Sequence, residues 1–252
     1  MSEPVVCTIG TTEAHLAVGL GVDLRVLVEC EVRPLAVVAA LSAQDAAGLR
    51  ALEPVAPEMI AAQLASLRGA RIDAFRIGAL AEVRSATVIA RGIAHRKAPI
   101  VYDPVAGSSA GGAFAPPATL CAIADELLAL RPIITPNLYE AGLLTQSNVD
   151  SIETMIAAAR ALRARGAQGV LIKGGHLTGA PRDVLVADDQ VHLFEEERLP
   201  GEMRATGCVL AAALAAALAH GATLLEAVQR ARAFVREKMT TAHLFDGMQT
   251  AY

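Results

Sequence analysis

The run RATGCVLAAALAAALAHG, from Arg204 to Gly221, decides how this chain is read. From Cys208 to Ala219 it holds only Cys, Val, Leu and Ala, which predicts a helix apolar on every side and therefore buried. Arg204–Ala205–Thr206–Gly207–Cys208 opens that helix. Free backbone N–H groups and the positive end of the helix dipole make such a turn an anion site. Gly207 lets the backbone approach a phosphate closely. Cys208, in the first helical turn, stands where a thiol pKa is depressed, so it is a candidate base. The same residues also read as a Thr N-cap, a Gly turn and a packing Cys.

An anion turn of this kind belongs beyond the carboxyl ends of the strands of an open α/β sheet, and the chain supplies such strands. β-Branched runs at Val5–Ile9, Leu35–Leu41, Ala74–Ile77, Ile100–Tyr102, Ile133–Ile134 and Val170–Ile172 alternate with segments of helical period. The predicted helices are Leu16–Cys30, Pro57–Arg68, Val83–Arg96, Pro117–Leu130, Ile152–Arg165, Cys208–Ala219 and Leu224–Leu244. This alternation predicts an α/β fold with a mostly parallel sheet covered by helices on both faces. Asp183–Val186 and Gln190–Phe194 flank a turn at Ala187–Asp189 and read as an added hairpin. No linker or internal repeat interrupts the pattern, and AGSSAGGA at Ala106–Ala113 is loop-sized, so residues 1–252 are expected to form a single domain.

Composition agrees with this and excludes other classes. The 252 residues are 54% hydrophobic and only 19% charged, which suits a packed core and not a disordered chain. Aromatics are 3% with no Trp, a bias toward small aliphatic packing. The net charge is −4 with scattered basic residues, so no nucleic-acid surface is expected. Cys7, Cys30, Cys121 and Cys208 lie far apart without zinc spacing, and the six histidines show none either, so reduced thiols and a cytoplasmic location are expected. No secretory leader is visible and Val209–Ala219 is too short to span a bilayer, so no membrane partner is expected.

The residues after each strand run give the chemistry: Gly10–Thr12, Gln44, Gly78, Asp103–Pro104, Thr135–Pro136–Asn137 and Lys173–Gly174–Gly175–His176. Lys173 suggests an ammonium held over a phosphate with two glycines leaving room for a nucleotide, although taken alone a solvated Lys before a plain turn is the readier reading. Asp103 and Glu140 are candidate Mg²⁺ ligands, directly or through water, because hard cations take carboxylate oxygen. Asp103 before Pro104 also reads as a turn former, and Glu140 as an early-helix carboxylate. The chain has no G-x-x-x-x-G-K-[ST], no G-x-G-x-x-G after a strand and no G-x-S-x-G.

In series, ALSAQ ending at Gln44, FRIGAL at Phe75–Leu80, YDPV at Tyr102–Val105, ITPNLYEA at Ile134–Ala141, LIKGGHL at Leu171–Leu177 and ATGCVLAAALAAALAHG at Ala205–Gly221 resemble the hydroxymethylpyrimidine and phosphomethylpyrimidine kinases of thiamine biosynthesis. The resemblance runs from about Val5 to Lys238. It implies a ribokinase-like three-layer α/β/α fold, ATP as co-substrate, Mg²⁺ as cofactor and a small pyrimidine as acceptor. It implies that Gln44 bonds the pyrimidine, with Asp23, Gly10 and Gly19 near the substrate. It places Asp103, Asn137 and Glu140 at Mg²⁺ and triphosphate, Lys173 on phosphate beside Gly175, and Ala205, Thr206, Gly207 and Cys208 in the anion turn, with Cys208 where ribokinase relatives carry an aspartate base. Relatives are often dimers, and the Ala-rich helices suggest a homodimer interface.

The chain departs from the family at three places. The glycine-rich first loop is here GTTEAHLAVGLGVD, Gly10–Asp23, which keeps Gly19 and Asp23 but loses the glycine pair before them. Arg204 and Ala205 replace the usual His and Gly, so the Ala205 N–H serves the anion only with a negative φ, and Arg204 faces either phosphate or solvent. The loop after Asp103 lacks the usual lysine-containing run. The expected activity is ATP-dependent phosphorylation of 4-amino-5-hydroxymethyl-2-methylpyrimidine, of its monophosphate, or of both. A kinase for pyridoxal or pyridoxine, or a weakly catalytic pyrimidine-binding protein, is the alternative that the altered loops raise.

Overall fold

Strand–helix alternation produces the expected sheet, extended at both edges. The structure is a computed structural model that describes residues 3–108, 111–175, 177–201 and 203–252. Its elements are β1 (Val5–Glu13), α1 (Leu20–Glu29), β2 (Arg33–Asp45), β3 (Gly48–Pro54), α2 (Pro57–Ser66), β4 (Ala74–Ile77), α3 (Val83–Ile93), β5 (Ile100–Tyr102), α4 (Pro117–Leu128) and β6 (Ile133–Ile134). They continue with α5 (Leu138–Thr145), α6 (Ile152–Ala164), β7 (Gly169–Ile172), β8 (Arg182–Ala187), β9 (Gln190–Glu195), α7 (Thr206–Ala219), α8 (Leu224–Thr241), β10 (His243–Phe245) and β11 (Met248–Thr250).

Nine strands form one sheet in the order β3-β2-β1-β4-β5-β6-β7-β8-β9. The strands from β2 through β7 in that order run parallel, and β3, β8 and β9 pair antiparallel at the edges. The central strands β4, β5 and β7 are buried along their whole length, as strands covered on both faces must be. One apolar cluster packs α2, α3, α4, α5 and α6 on one face, and a second packs α1, α7 and α8 on the other. That is the three-layer arrangement expected.

Several boundaries differ from the sequence reading, each for a local reason. The first helix begins at Leu20 and not Leu16, because Leu16 (φ 54°) and Gly19 (φ 56°) both adopt left-handed backbone that no helix continues through. Strand β3 and helix α5 were not expected; β3 alternates exposed and half-buried residues at the sheet edge, and α5 is only eight residues. The last helix stops at Thr241 and the chain turns into the β10–β11 hairpin instead of reaching Leu244. Helix α7 is buried from Val209 to Ala217 within its own subunit, so this Ala-rich helix offers no surface to a second copy. No described helix is long and apolar enough to cross a membrane.

Candidate active site

The strand ends converge on a cavity of about 620 Å³ lined by Gln44, Arg76, Asp103, Asn137, Glu140, Lys173, Gly175 and the turn Ala205–Cys208, among others. A residue given no role by the sequence reading lies beneath it. Arg76, the third residue of β4, is only 1% exposed. Its Nη1 lies 3.1 Å from Asp23 Oδ2 and its Nη2 3.6 Å from Asp103 Oδ2. Gly78 gives it passage, since a Cβ there would stand 1.8 Å from Arg76 Nη1. The available signal was a charge inside the apolar strand AFRI followed two residues later by glycine.

Charge balance explains the protonation of this floor. Burial raises the Asp23 carboxyl to about 6, although Arg76 and the hydroxyl of Thr8, which donates to Asp23 Oδ2 at 2.6 Å, pull it back. Burial opposes the charge on Arg76, but Asp23, Cys208 and Asp103 hold the guanidinium protonated. Asp103 would also be raised by burial, yet Lys173 and Arg76 hold it below the usual carboxylate range. Its Oδ1 accepts from Lys173 Nζ at 2.9 Å and from Thr135 Oγ1 at 3.0 Å. Burial raises Glu140, while Lys173 stays charged because Asp103 and Glu140 outweigh its desolvation.

Asn137 and Glu140 enter the cavity through the N-terminus of α5. The Asn137 side chain accepts from Glu140 N at 2.9 Å, and Glu140 Oε2 accepts from Asn137 N at 2.8 Å, a reciprocal capping box. Glu140 Oε1 also accepts from Ala106 N at 3.2 Å. The described residues hold no cluster of three His, Cys, Asp or Glu able to enclose a metal ion. Asp103 Oδ1 and both Glu140 oxygens already accept hydrogen bonds, and Asp103 Oδ2 has only the 3.6 Å ion pair with Arg76. This pair therefore suits Mg²⁺, which keeps several waters and takes few direct protein ligands. Glycines set the other margins of this end: a Cβ on Gly174 would lie 1.9 Å from Arg182 O, and one on Gly207 would lie 3.0 Å from Lys173 Nζ. His176 lies outside the described residues.

The turn that opens α7 departs from expectation in three ways. Ala205 has φ 60° and ψ 20°, a left-handed N-cap and not the negative φ anticipated, and no side chain caps α7. The first amides of this helix are therefore left for an anion. Arg204 faces neither phosphate nor solvent: Nη1 donates to Asp45 O at 2.9 Å and to Met248 Sδ at 2.7 Å, and Nη2 to Ser108 Oγ at 3.3 Å. It clasps the β2–β3 turn, the loop after β5 and the β10–β11 hairpin around the cavity. The Cys208 thiol is raised and not depressed, because burial outweighs the neighbouring Arg76.

At the opposite end, Thr11, Val18, Gly19 and Gln44 line the cavity. Gly10 and Asp23, expected at the substrate, lie beneath it: Gly10 sits beside Arg76, and Asp23 is fully buried. Gly19 is required where it stands, since a Cβ would meet Thr11 O at 2.3 Å. Glu13, unnoticed in the sequence, ties this loop together. Its Oε1 accepts from Ala17 N at 2.6 Å and Val18 N at 3.2 Å, and its Oε2 from His15 N at 2.6 Å. Glu13→Gln puts an NH₂ against these donors and is expected to cost about 2 kcal/mol, the scale of hydrogen bonds to a charged acceptor. A denaturant unfolding midpoint equal to wild type would show that the loop is held by something else.

Known proteins resemble this chain in sequence and in fold. A family model described as phosphomethylpyrimidine kinase matches residues 17–250. A hydroxymethylpyrimidine/phosphomethylpyrimidine kinase of Mycobacterium bovis is 33% identical over 249 residues, covering 96% of this chain and 90% of that one. The thiamine biosynthesis bifunctional protein ThiED of Geobacter sulfurreducens is 32% identical over 234 residues, 91% of this chain and 48% of its own. Among solved structures, an ADP complex of Bacillus subtilis pyridoxal kinase superposes with TM-score 0.89 at 28% identity, covering 99% of this chain and 97% of that one.

Proposed function

This chain belongs to the phosphomethylpyrimidine kinase family, and from that premise we propose that it transfers the γ-phosphoryl group of ATP to 4-amino-5-hydroxymethyl-2-methylpyrimidine and then to its monophosphate in thiamine biosynthesis. It is a phosphotransferase of ribokinase-like fold. The observation that carries the residue assignment is one wall of one cavity. Lys173, Asp103 and the uncapped turn Thr206–Cys208 meet there, with Gln44 at the far end.

In this reading the triphosphate lies over Lys173, Asn137, Gly175 and the α7 N-terminus, and the acceptor ring lies against Gln44. The hydroxymethyl oxygen attacks the γ-phosphorus as the bond to the β–γ bridging oxygen breaks, and ADP leaves. Lys173 and the amides of Thr206 and Gly207 take the charge that develops on the migrating group, without the Ala205 amide, whose φ of 60° is not the negative one its service required. Cys208 receives the hydroxyl proton in its thiolate form. Burial makes that form scarce, and Arg76 is the cation beside the sulfur that counters burial. Lys173 and Arg76 are opposed by Asp23, Asp103 and Glu140, so the wall has no positive surplus for a triphosphate. Mg²⁺ held through Asp103 and Glu140 would supply that surplus and neutralise the phosphates. The reading takes the chain as one domain acting in the cytoplasm as a homodimer.

The similarity to a pyridoxal kinase structure supports a second acceptor class, pyridoxal. ADP release with ATP and Mg²⁺, measured separately on the hydroxymethylpyrimidine, its monophosphate and pyridoxal, tests both. Turnover on the pyrimidines is expected. Turnover on pyridoxal alone would overturn the acceptor assignment, and binding of the pyrimidine without any ADP release would leave a binding protein.

A further inference from the structure

Gln44 lines the cavity and is 8% exposed, yet its Oε1 is buried without a hydrogen-bond partner. Its Nε2 donates to Ser42 Oγ at 3.0 Å, and Ser42 Oγ donates to Thr12 O at 3.3 Å. Ser42 and Gln44 share a face of β2, and a register shift between Ala43 and Gln44 breaks the β2–β3 ladder beside them. The direction of this relay is fixed at its end. A backbone carbonyl can only accept, so the single Ser42 proton goes to Thr12 and Ser42 Oγ is left to accept from Gln44. The Gln44 NH₂ must therefore face Ser42, and its carbonyl oxygen is the atom left for a ligand. A buried acceptor left unpaired is costly, so it discriminates strongly between a ligand that brings a donor and one that does not.

We propose that Ser42 is a positioning residue that sets acceptor specificity, by orienting the Gln44 amide to take an N–H from an amino-substituted ring. The inference rests on the kinase reading above and narrows it. The aminopyrimidine carries an exocyclic amine next to its hydroxymethyl group. Pyridoxal carries a formyl oxygen there, an acceptor that would confront the Gln44 carbonyl.

The test couples the ligand amine to Ser42. Dissociation constants are measured by calorimetry for the hydroxymethylpyrimidine and its 4-deamino analogue, on wild type, Ser42→Ala and Ser42→Thr. In wild type and Ser42→Thr, which keeps the hydroxyl, losing the amine is expected to weaken binding about tenfold or more. In Ser42→Ala the amide is free to turn, and that factor is expected to shrink to about threefold or less. A merely structural role would weaken both ligands equally and leave the factor unchanged. An equal factor in wild type and Ser42→Ala, or no preference for the amine in wild type, overturns the proposal. ADP release on the same proteins separates the two readings. Amine coupling without turnover sinks the kinase, whereas turnover without coupling sinks only the role of Ser42.

Discussion

Arg76→Met is expected to lower the stability of the folded protein by about 3–5 kcal/mol, the cost of removing one partner from a buried ion pair. Asp23 would keep only the Thr8 hydroxyl at 2.6 Å, inside a region closed to water. Methionine keeps the apolar stem and carries no charge. The stranded carboxylate is therefore expected to supply the pH-dependent part of the loss, and the space left by the guanidinium a pH-independent part. The pH dependence identifies the cause. Burial already raises Asp23 to about 6, and Arg76 is the strongest influence lowering it, so in the variant its pKa moves higher still. An unfolded aspartate titrates near ~3.9. A group whose folded pKa lies above its unfolded one contributes most below the unfolded value and loses that contribution as pH rises through the folded one. The deficit of Arg76→Met should thus be small near pH 4 and grow toward pH 8. Asp103 also loses Arg76, one of the two cations that hold it down, so its change has the same sign, but Lys173 stays at 2.9 Å and keeps it the smaller part of the difference. Urea midpoints of the two proteins across this range make the measurement. A deficit that is flat with pH would mean that Asp23 does not depend on Arg76 for its charge.

The sheet was legible because its central strands are short apolar runs with polar punctuation. The sequence readings of Ala74–Ile77, Ile100–Tyr102 and Ile133–Ile134 coincide with β4, β5 and β6. Strand-end reasoning reached the cavity-lining Asp103, Asn137 and Lys173, because a parallel sheet brings its carboxyl ends to one edge, and the start of an all-apolar helix pointed to the Ala205–Cys208 turn. It could not reach Arg76 or Glu13, which act from within strands, where a charged residue has no periodic signature and only its partners explain it. Nor could it orient Cys208. Position at a helix N-terminus argues for an acidic thiol, but burial beside Asp23 and Asp103 argues the other way, and burial wins. Arg204 was misjudged for a related reason. Its partners lie 159, 96 and 44 residues away, contacts that only the closed fold creates.

Gly207→Ala is expected to lower kcat about 100-fold while leaving the melting temperature unchanged or slightly higher. The new methyl would stand 3.0 Å from Lys173 Nζ and 3.6 Å from Asp103 Oδ2. A free lysine end would swing aside, but this one is pinned to Asp103 at 2.9 Å, and the pair must shift together by a few tenths of an ångström. Small displacements of groups that act on a transferring phosphoryl cost far more in rate than in binding, and losing one preorganised donor costs about 10²–10³ in kcat. The fold has no reason to suffer. Gly207 lies within the first turn of α7, where its φ is not left-handed, and alanine is favoured over glycine in helices by up to about 1 kcal/mol. Activity and stability should therefore move in opposite directions, which separates damage to the anion turn from unfolding. Steady-state kinetics with saturating ATP and the pyrimidine, beside a thermal melt of the same preparation, decide it. If kcat holds while the methyl is in place, the migrating phosphoryl group does not pass between Lys173 and the α7 N-terminus, and the catalytic wall must be sought elsewhere in the cavity.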